Sequence, residues 1–339
     1  MRVVFVTQQV DPSSPVLGAT VAKLRALAAR ADEVAVIADS AVEGALPANC
    51  RVQTFAARTR VGRGARFEAA LARELARRPR PAAVIAHMCP IYAVLSAPFA
   101  RPLGVRVLLW YTHWRASRLL AFADRVSTAV ITVDRRSFPL DSRKVVAIGH
   151  GIDLAAYPCV DRGERDGLAL LSLGRTSPAK GLDTVIRAVA EVSGARLTQL
   201  GPSLTAEESL HRAELERLVA ALGVADRVTI GNAVPAAEVA GALAAADCLV
   251  NNMRAGATDK VVYEAAAACL PVLASNPALD GLLPDELRFP RDDPSALAAC
   301  IRRLANVDRA GIGRELRARV ERDHAVEGWA DRVIEVARG

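Results

Sequence analysis

Apolar positions along this chain follow two rhythms. Short runs with few polar interruptions, such as 2–7, 82–87, 168–173 and 247–251, have the pattern of strands buried on both faces. Between them the apolar residues fall three and four apart, as in Leu182, Val185, Ile186 and Val189, which marks one face of a helix. In the first half the pattern predicts strands over 2–7, 33–38, 51–56, 82–87, 105–111, 127–133 and 144–148. Helices are predicted there over 19–30, 64–78, 91–100 and 114–124. In the second half it predicts strands over 168–173, 195–200, 227–230, 247–251 and 271–274. The helices predicted with them are 180–191, 205–222, 236–245, 259–269, 294–305, 308–320 and 324–337. Alternation in both halves implies an α/β chain of two Rossmann-like, doubly wound domains, each a parallel sheet covered on both faces. Segment 151–166 breaks the rhythm with Pro158, Gly163 and a run of charges, and reads as the linker.

Composition narrows this picture. At 339 residues the chain exceeds one typical core and suits two domains of about 150 residues each. Apolar residues make up 52% and aromatic residues only 4%, so the cores are aliphatic. The most apolar region, 82–111, contains His87, Arg101, Arg106 and several prolines, too polar and broken for a spanning helix. The start, MRVVFVTQQVDP, reads as a first strand and not a signal peptide, so a cytoplasmic protein is expected. The six cysteines (Cys50, Cys89, Cys159, Cys248, Cys269 and Cys300) are scattered without a C-x-x-C pair. Reduced core thiols are therefore expected, with neither a disulfide nor a zinc site.

Charge is uneven. Residues 1–150 hold 22 Lys and Arg against 10 Asp and Glu, a net +12, and the remainder has 22 against 27, a net −5. A basic half points either to an anionic partner or to an arginine-rich solvated surface. Segment 57–80 concentrates eight arginines, with Glu68 and Glu74 the only acids, around a stripe of Phe67, Ala70, Leu71 and Leu75. Such a helix either rests on an anionic membrane or packs on the sheet with its arginines in water. Interleaved aromatics are lacking, which argues against nucleic acid.

The chemistry concentrates in two loops. In "LSLGRTSPAKGLDTVIRAV", 171–189, a strand ends at Gly174 and a helix opens after Gly181, with Arg175 and Lys180 between. Cations at a helix start oppose its dipole, so their placement suggests a bound anion, a diphosphate, rather than two solvated charges. Arginine can fork onto phosphate oxygens and lysine adds a point charge. The spacing is not that of a P-loop, and no G-x-G-x-x-G follows the first strand, which argues against NAD. The second stretch, "NNMRAGATDKVVYEAAAACLPVLAS", 251–275, places Glu264 in a helix of small residues. Its carboxylate has two readings: a hydrogen-bond acceptor for a ribose diol, or a partner for Lys260 one turn earlier.

Together these stretches resemble the retaining GT-B glycosyltransferases of family 4. In that family a "GR…KG" loop opens the C-terminal domain, and Arg175 and Lys180 match its Arg and Lys. A later helix carries two glutamates eight apart, and Glu264 in "EAAAACLPV" matches the second, the ribose ligand. "GHGID" at 149–153 resembles the domain-junction motif, while "VTIGNAVP" at 228–235 and "AADCLVNN" at 245–252 fit the base-side loop and the next strand. "VTQQVDPSSPVLGAT" and "LLWYTHWRAS" are similar to the N-terminal opening and histidine strand of a bacterial and archaeal branch. Two positions depart from the pattern: Gly256 stands where the first glutamate is expected, and Leu270 where glycine is common.

The resemblance implies a GT-B fold of two Rossmann-like domains facing across a cleft. Its expected parts are an acceptor-side domain over 1–155, a nucleotide-sugar domain over 156–320 and a C-terminal helix, 321–339, returning to the first. It implies a metal-independent, hexosyltransferase-like enzyme that moves a sugar with retention from a nucleoside diphosphate sugar, UDP or GDP, to an acceptor hydroxyl. No D-x-D sequence occurs, and no cofactor is expected. The expected catalytic residues are His113, Arg175 and Lys180. The expected donor-binding residues are Gly18, Gly174, Arg175, Lys180, Gly201, Asn232, Gly256, Ala257, Thr258, Asp259, Lys260 and Glu264. The acceptor is left open among a lipid-linked glycan, a polysaccharide and a small metabolite. A nucleotide-sugar epimerase on the same scaffold and a degenerate sugar-nucleotide-binding protein are the alternatives.

Overall fold

A computed structural model describes residues 1–14, 17–163, 167–256 and 258–339. By contact density the chain divides into two units, Met1–Asp153 with Asp323–Gly339, and Leu154–Arg322.

In the first unit the continuous apolar runs become strands β1 (Arg2–Val10), β2 (Glu33–Ala41), β3 (Cys50–Thr54), β4 (Ala83–His87), β5 (Arg106–Trp110), β6 (Ala129–Thr132) and β7 (Val145–Ala147). They pair in parallel, in the order β3-β2-β1-β4-β5-β6-β7. Strand residues alternate between the two faces, so each face needs its own cover. One face packs α1 (Ala19–Ala28) and the chain's last helix, α11 (Val326–Arg338), around Leu24, Leu27, Trp110 and Trp329. The other packs α2 (Arg60–Ala76), α3 (Pro90–Ala100) and α4 (Arg118–Val126) around Phe67, Leu71, Leu109 and Leu120.

This packing takes up the apolar side of the arginine-rich segment. Its stripe of Phe67, Ala70, Leu71 and Leu75 is buried against the sheet. Thr59 caps α2, accepting from the Gly62 amide at 3.1 Å. Glu74 is buried and receives Arg2 at 2.6 Å, Arg77 at 3.0 Å and Gln53 at 2.6 Å, so the burial of its charge is compensated. Arg63 pairs with Asp39 at 2.9 Å.

The second unit contains β8 (Leu168–Leu173), β9 (Ala195–Leu200), β10 (Val228–Gly231), β11 (Cys248–Asn251) and β12 (Val272–Ala274). Its helices are α5 (Leu182–Ala190), α6 (Ala206–Ala221), α7 (Val239–Ala245), α8 (Lys260–Ala267), α9 (Pro294–Leu304) and α10 (Arg309–His324), the last running two residues into the first unit. The sheet is parallel in the order β10-β9-β8-β11-β12. Strand order reverses between β8 and β11, so the loops after these two strands border the crevice where such sheets bind ligands.

One expectation fails here. Cys159 and Cys269 form a disulfide with Cα atoms 5.0 Å apart, across 110 residues of sequence. Cys269 ends α8 in the left-handed region, φ 53°, and that turn presents its side chain to the incoming segment. Residues 157–162 are strapped to the same place. Arg162 donates to the carbonyls of Ala246, Ala268 and Cys269 at 2.8–3.1 Å, and Arg317 donates to the Tyr157 carbonyl at 2.7 Å. The other four cysteines are free, and burial pushes the Cys50 thiol up to about 11.

Candidate functional site

The loop after β8 is shaped by its glycines. Gly174 has φ 124° and Gly181 φ 53°, both in the region that favours glycine. A Cβ on Gly174 would lie 2.6 Å from the Lys180 ammonium, and one on Gly201 would lie 1.9 Å from the Gly174 carbonyl oxygen. The backbone after β8 is thus pressed between Lys180 on one side and the end of β9 on the other. Gln199 holds the Gly174 carbonyl at 2.8 Å.

Lys180 reaches back under this turn. Its ammonium donates to the Leu173 carbonyl at 3.1 Å and forms an ion pair with Asp259, and its side chain is 11% exposed. Asn251, the last residue of β11, donates to the same Asp259 carboxylate at 2.9 Å. Burial works against the ionised Asp259, but Lys180 and the Asn251 amide outweigh it and hold its carboxyl below the ordinary range. The loops following β8 and β11 are therefore tied together at the strand-order reversal. Asn252 adds a bond to the Gly181 carbonyl at 2.9 Å, and Arg254 donates its amide to the Ala179 carbonyl at 3.0 Å.

Arg175 leaves the loop in the opposite direction. Its guanidinium is 54% exposed and meets Glu208 of α6 at 3.1 Å. Glu208 is buried, and its second oxygen accepts the Leu204 amide at 2.7 Å while its own amide donates to Thr205 at 3.2 Å. This is a variant of the capping box, in which Glu208 reaches back to the amide one residue before the N-cap Thr205. The T-x-x-E spelling makes it readable from sequence; its pairing with Arg175 is not.

Glu264 is buried on α8, and Lys260 does meet it, at 2.5 Å. The same oxygen accepts the Tyr157 hydroxyl at 2.6 Å, a partner that no sequence pattern indicated. Thr258 is buried with its hydroxyl lacking any hydrogen-bond partner among the described residues. Gly256 adopts φ 118°, and Ala257 lies outside the described residues. Asn232 is exposed beyond the end of edge strand β10, its side-chain oxygen accepting from Arg212 at 3.2 Å. That bond ties Asn232 to α6 and not to the cation loop.

The remaining two residues lie in the first unit. His113 follows β5, and its Nδ1 accepts the Arg115 amide at 3.0 Å. In the neutral ring this places the proton on Nε2. Its ring stacks on Trp114 with centroids 5.3 Å apart. Gly18 opens α1 at φ −55°, and a Cβ there would come 2.7 Å from the Ser14 carbonyl oxygen. Close packing of its own loop thus accounts for the glycine. Among the described residues no group of three or more His, Cys, Asp and Glu could hold a metal ion, and no helix is long and apolar enough to cross a membrane.

Comparison with known proteins bears on this geometry. Residues 167–306, which contain both loops, match the sequence model of the family described as glycosyl transferases group 1. The match runs from the start of β8 to the end of α9 in the second unit. A relative, the D-inositol 3-phosphate glycosyltransferase of Kineococcus radiotolerans, is 31% identical over 185 residues, which are 49% of this chain and 41% of that protein. The match thus spans under half of the relative's length. Among solved structures, a sucrose-phosphate synthase from Thermosynechococcus elongatus superposes with a TM-score of 0.80, at 20% identity, over 100% of this chain and 98% of that one. The HepE protein of Anabaena in complex with UDP-glucose superposes with a TM-score of 0.78, at 17% identity, over 99% of each chain. These likenesses establish a GT-B-like fold of two parallel-sheet α/β units, and the matched segment contains the cation loop, Asp259 and Glu264.

Proposed function

We propose that this chain is a glycosyltransferase that moves a sugar from a nucleoside diphosphate sugar to an acceptor hydroxyl, with retention and without a metal ion. The observation that carries the reading is the placement of Lys180. Its ammonium is packed against the glycine backbone at the end of β8, beside the strand-order reversal, inside the region that matches group 1 glycosyl transferases. The UDP and UDP-glucose complexes of HepE, which shares the fold, support a nucleotide donor.

Cleaving the anomeric bond puts negative charge on the leaving diphosphate. Lys180, Arg175 and the first amides of α5 are the groups that would stabilise it. Asp259 holds Lys180 in place beforehand, so little reorganisation is needed when charge develops. Arg175 is half in solvent, and its bond to Glu208 is replaceable by phosphate oxygens. Glu264, steadied by Lys260 and Tyr157, is assigned to the ribose hydroxyls. His113 is assigned as a donor, through Nε2, to a substrate hydroxyl. No carboxylate is assigned as a nucleophile. Retention then follows from attack on the face the diphosphate leaves, with its oxygen taking the acceptor proton.

The test is transfer by purified protein from UDP- and GDP-sugars in the presence of a chelator. The expected result is release of nucleoside diphosphate and a product with the donor's anomeric configuration. Activity that requires added divalent metal, or an inverted product, overturns the corresponding part of the reading.

A further inference from the structure

A second cavity opens beside the donor loop. It has a volume of about 340 Å³ and is lined by Ala255, Ser275, Asn276, Phe289 and the two arginines Arg288 and Arg291, with prolines between. It sits past the carboxyl end of β12, the strand next to β11. It is chemically continuous with the cation site: the Ser275 amide donates to the Asn251 carbonyl at 3.2 Å, and the Asn251 side chain bonds Asp259. Ala255 is four residues before Asp259, a span of at most about 14 Å.

No acidic side chain lines this cavity. The adjoining loop, Asn252-Met253-Arg254-Ala255-Gly256, holds no carboxylate either. Neither the Arg288 Nε nor the Arg291 Nε makes a hydrogen bond among the described residues, although the Arg291 Nε lies 3.5 Å from an Asp292 carboxylate oxygen. Arg288 pairs through Nη2 with Asp285, and both acids are exposed, Asp285 by 84% and Asp292 by 60%. Exposed pairs of this kind contribute little, whereas a buried guanidinium N–H without an acceptor is costly and calls for a partner. The planar fork of arginine suits a carboxylate.

We infer that this cavity receives a carboxylate carried by the donor's sugar, which makes the donor a nucleoside diphosphate hexuronate. The inference rests on the nucleotide-sugar reading of the neighbouring loop. On that reading the sugar lies toward the loop 252–256, where an acidic substituent competes for two arginines whose own carboxylate partners are solvent-exposed.

The experiment compares dissociation constants for UDP-glucose with UDP-glucuronate and GDP-mannose with GDP-mannuronate. UDP, GDP and inorganic phosphate serve as controls. One hexuronate is expected to bind about tenfold or more tightly than its neutral counterpart. In Arg291→Gln that preference falls to near parity, while affinity for the parent nucleoside diphosphate stays as in wild type. Arg288→Gln is the second variant, and circular dichroism checks the fold of both. Equal or tighter binding of the neutral sugars by wild type overturns the inference and leaves the donor reading standing. So does inorganic phosphate filling the cavity without competing with any sugar nucleotide. If none of the nucleotides binds at all, both readings fall.

Discussion

The two sheets reverse their strand order at comparable places, between β1 and β4 in the first unit and between β8 and β11 in the second. What fills those places differs. In the first unit His87, the last residue of β4, bonds Thr7 of β1 at 3.0 Å, and its ring packs near Phe5 and Trp110. Burial, with the charge of Lys23 added, pushes its pKa down to about 3, so the ring is neutral. In the second unit the corresponding loops hold Lys180, pressed on glycine backbone, and Arg175, half exposed and turned to Glu208. One reversal is bridged by a neutral hydrogen bond; the other is bridged by an ion pair and carries charge. The same strand geometry supports both, so topology locates a site and side chains decide whether it binds anything.

The sharpest way to break the contrast is to remove the charge. Lys180→Ala is expected to lower turnover with a nucleotide sugar by about 10²–10³-fold, the range for losing one charge-stabilising donor. The check is kcat at saturating donor, with circular dichroism to show a folded protein. Wild-type turnover would detach the cation from the chemistry.

The architecture was legible because buried parallel strands spell continuous apolar runs, and helices spell a different period. Strand 168–173 and strand 195–200 coincide with β8 and β9. Arg175 and Lys180 were legible because cations at a helix start conflict with its dipole. The partners that hold them were not. Glu208, Asp259 and Tyr157 lie 33, 79 and 107 residues from Arg175, Lys180 and Glu264 respectively, and no local period reports on contacts at that range. The Cys159–Cys269 bridge escaped for the same reason: scattered cysteines fix no pairing.

That bridge gives the next test. Replacing both cysteines by serine is expected to destabilise the second unit by about 2–4 kcal/mol, the usual effect of closing a long loop. Chemical denaturation of the variant and of wild type measures it. An unchanged unfolding midpoint would show that the strap of Arg162 and Arg317 suffices alone.

The buried histidine predicts a pH dependence of comparable size. The folded state resists protonating His87 down to about pH 3, whereas an unfolded histidine takes up its proton near 6.5. Between those values the unfolded chain binds the extra proton. Stability therefore falls as pH falls, by up to about 1.4 kcal/mol per pH unit from this group. Urea midpoints for wild type and His87→Gln across pH 4 to 7 isolate it, because other groups contribute equally to both. Parallel curves would mean that His87 takes up its proton at the same pH in the folded and unfolded chain.

Tyr157→Phe has the mildest expected effect. Losing the hydroxyl that steadies Glu264 should cost about 1 kcal/mol in stability and weaken nucleotide binding a few-fold. Thermal melting and titration with UDP read the two changes separately. Unaltered binding would place Glu264 outside the nucleotide site.

The central claim is that the loop after β8 grips a diphosphate. Isothermal titration with uridine, UMP and UDP, or the guanosine series, against wild type, Arg175→Ala and Lys180→Ala tests it most directly. The account predicts that affinity in wild type rises steeply from nucleoside to diphosphate, and that either substitution removes most of that rise while nucleoside binding is unaffected. Equal affinity of the three proteins for the diphosphate would contradict it.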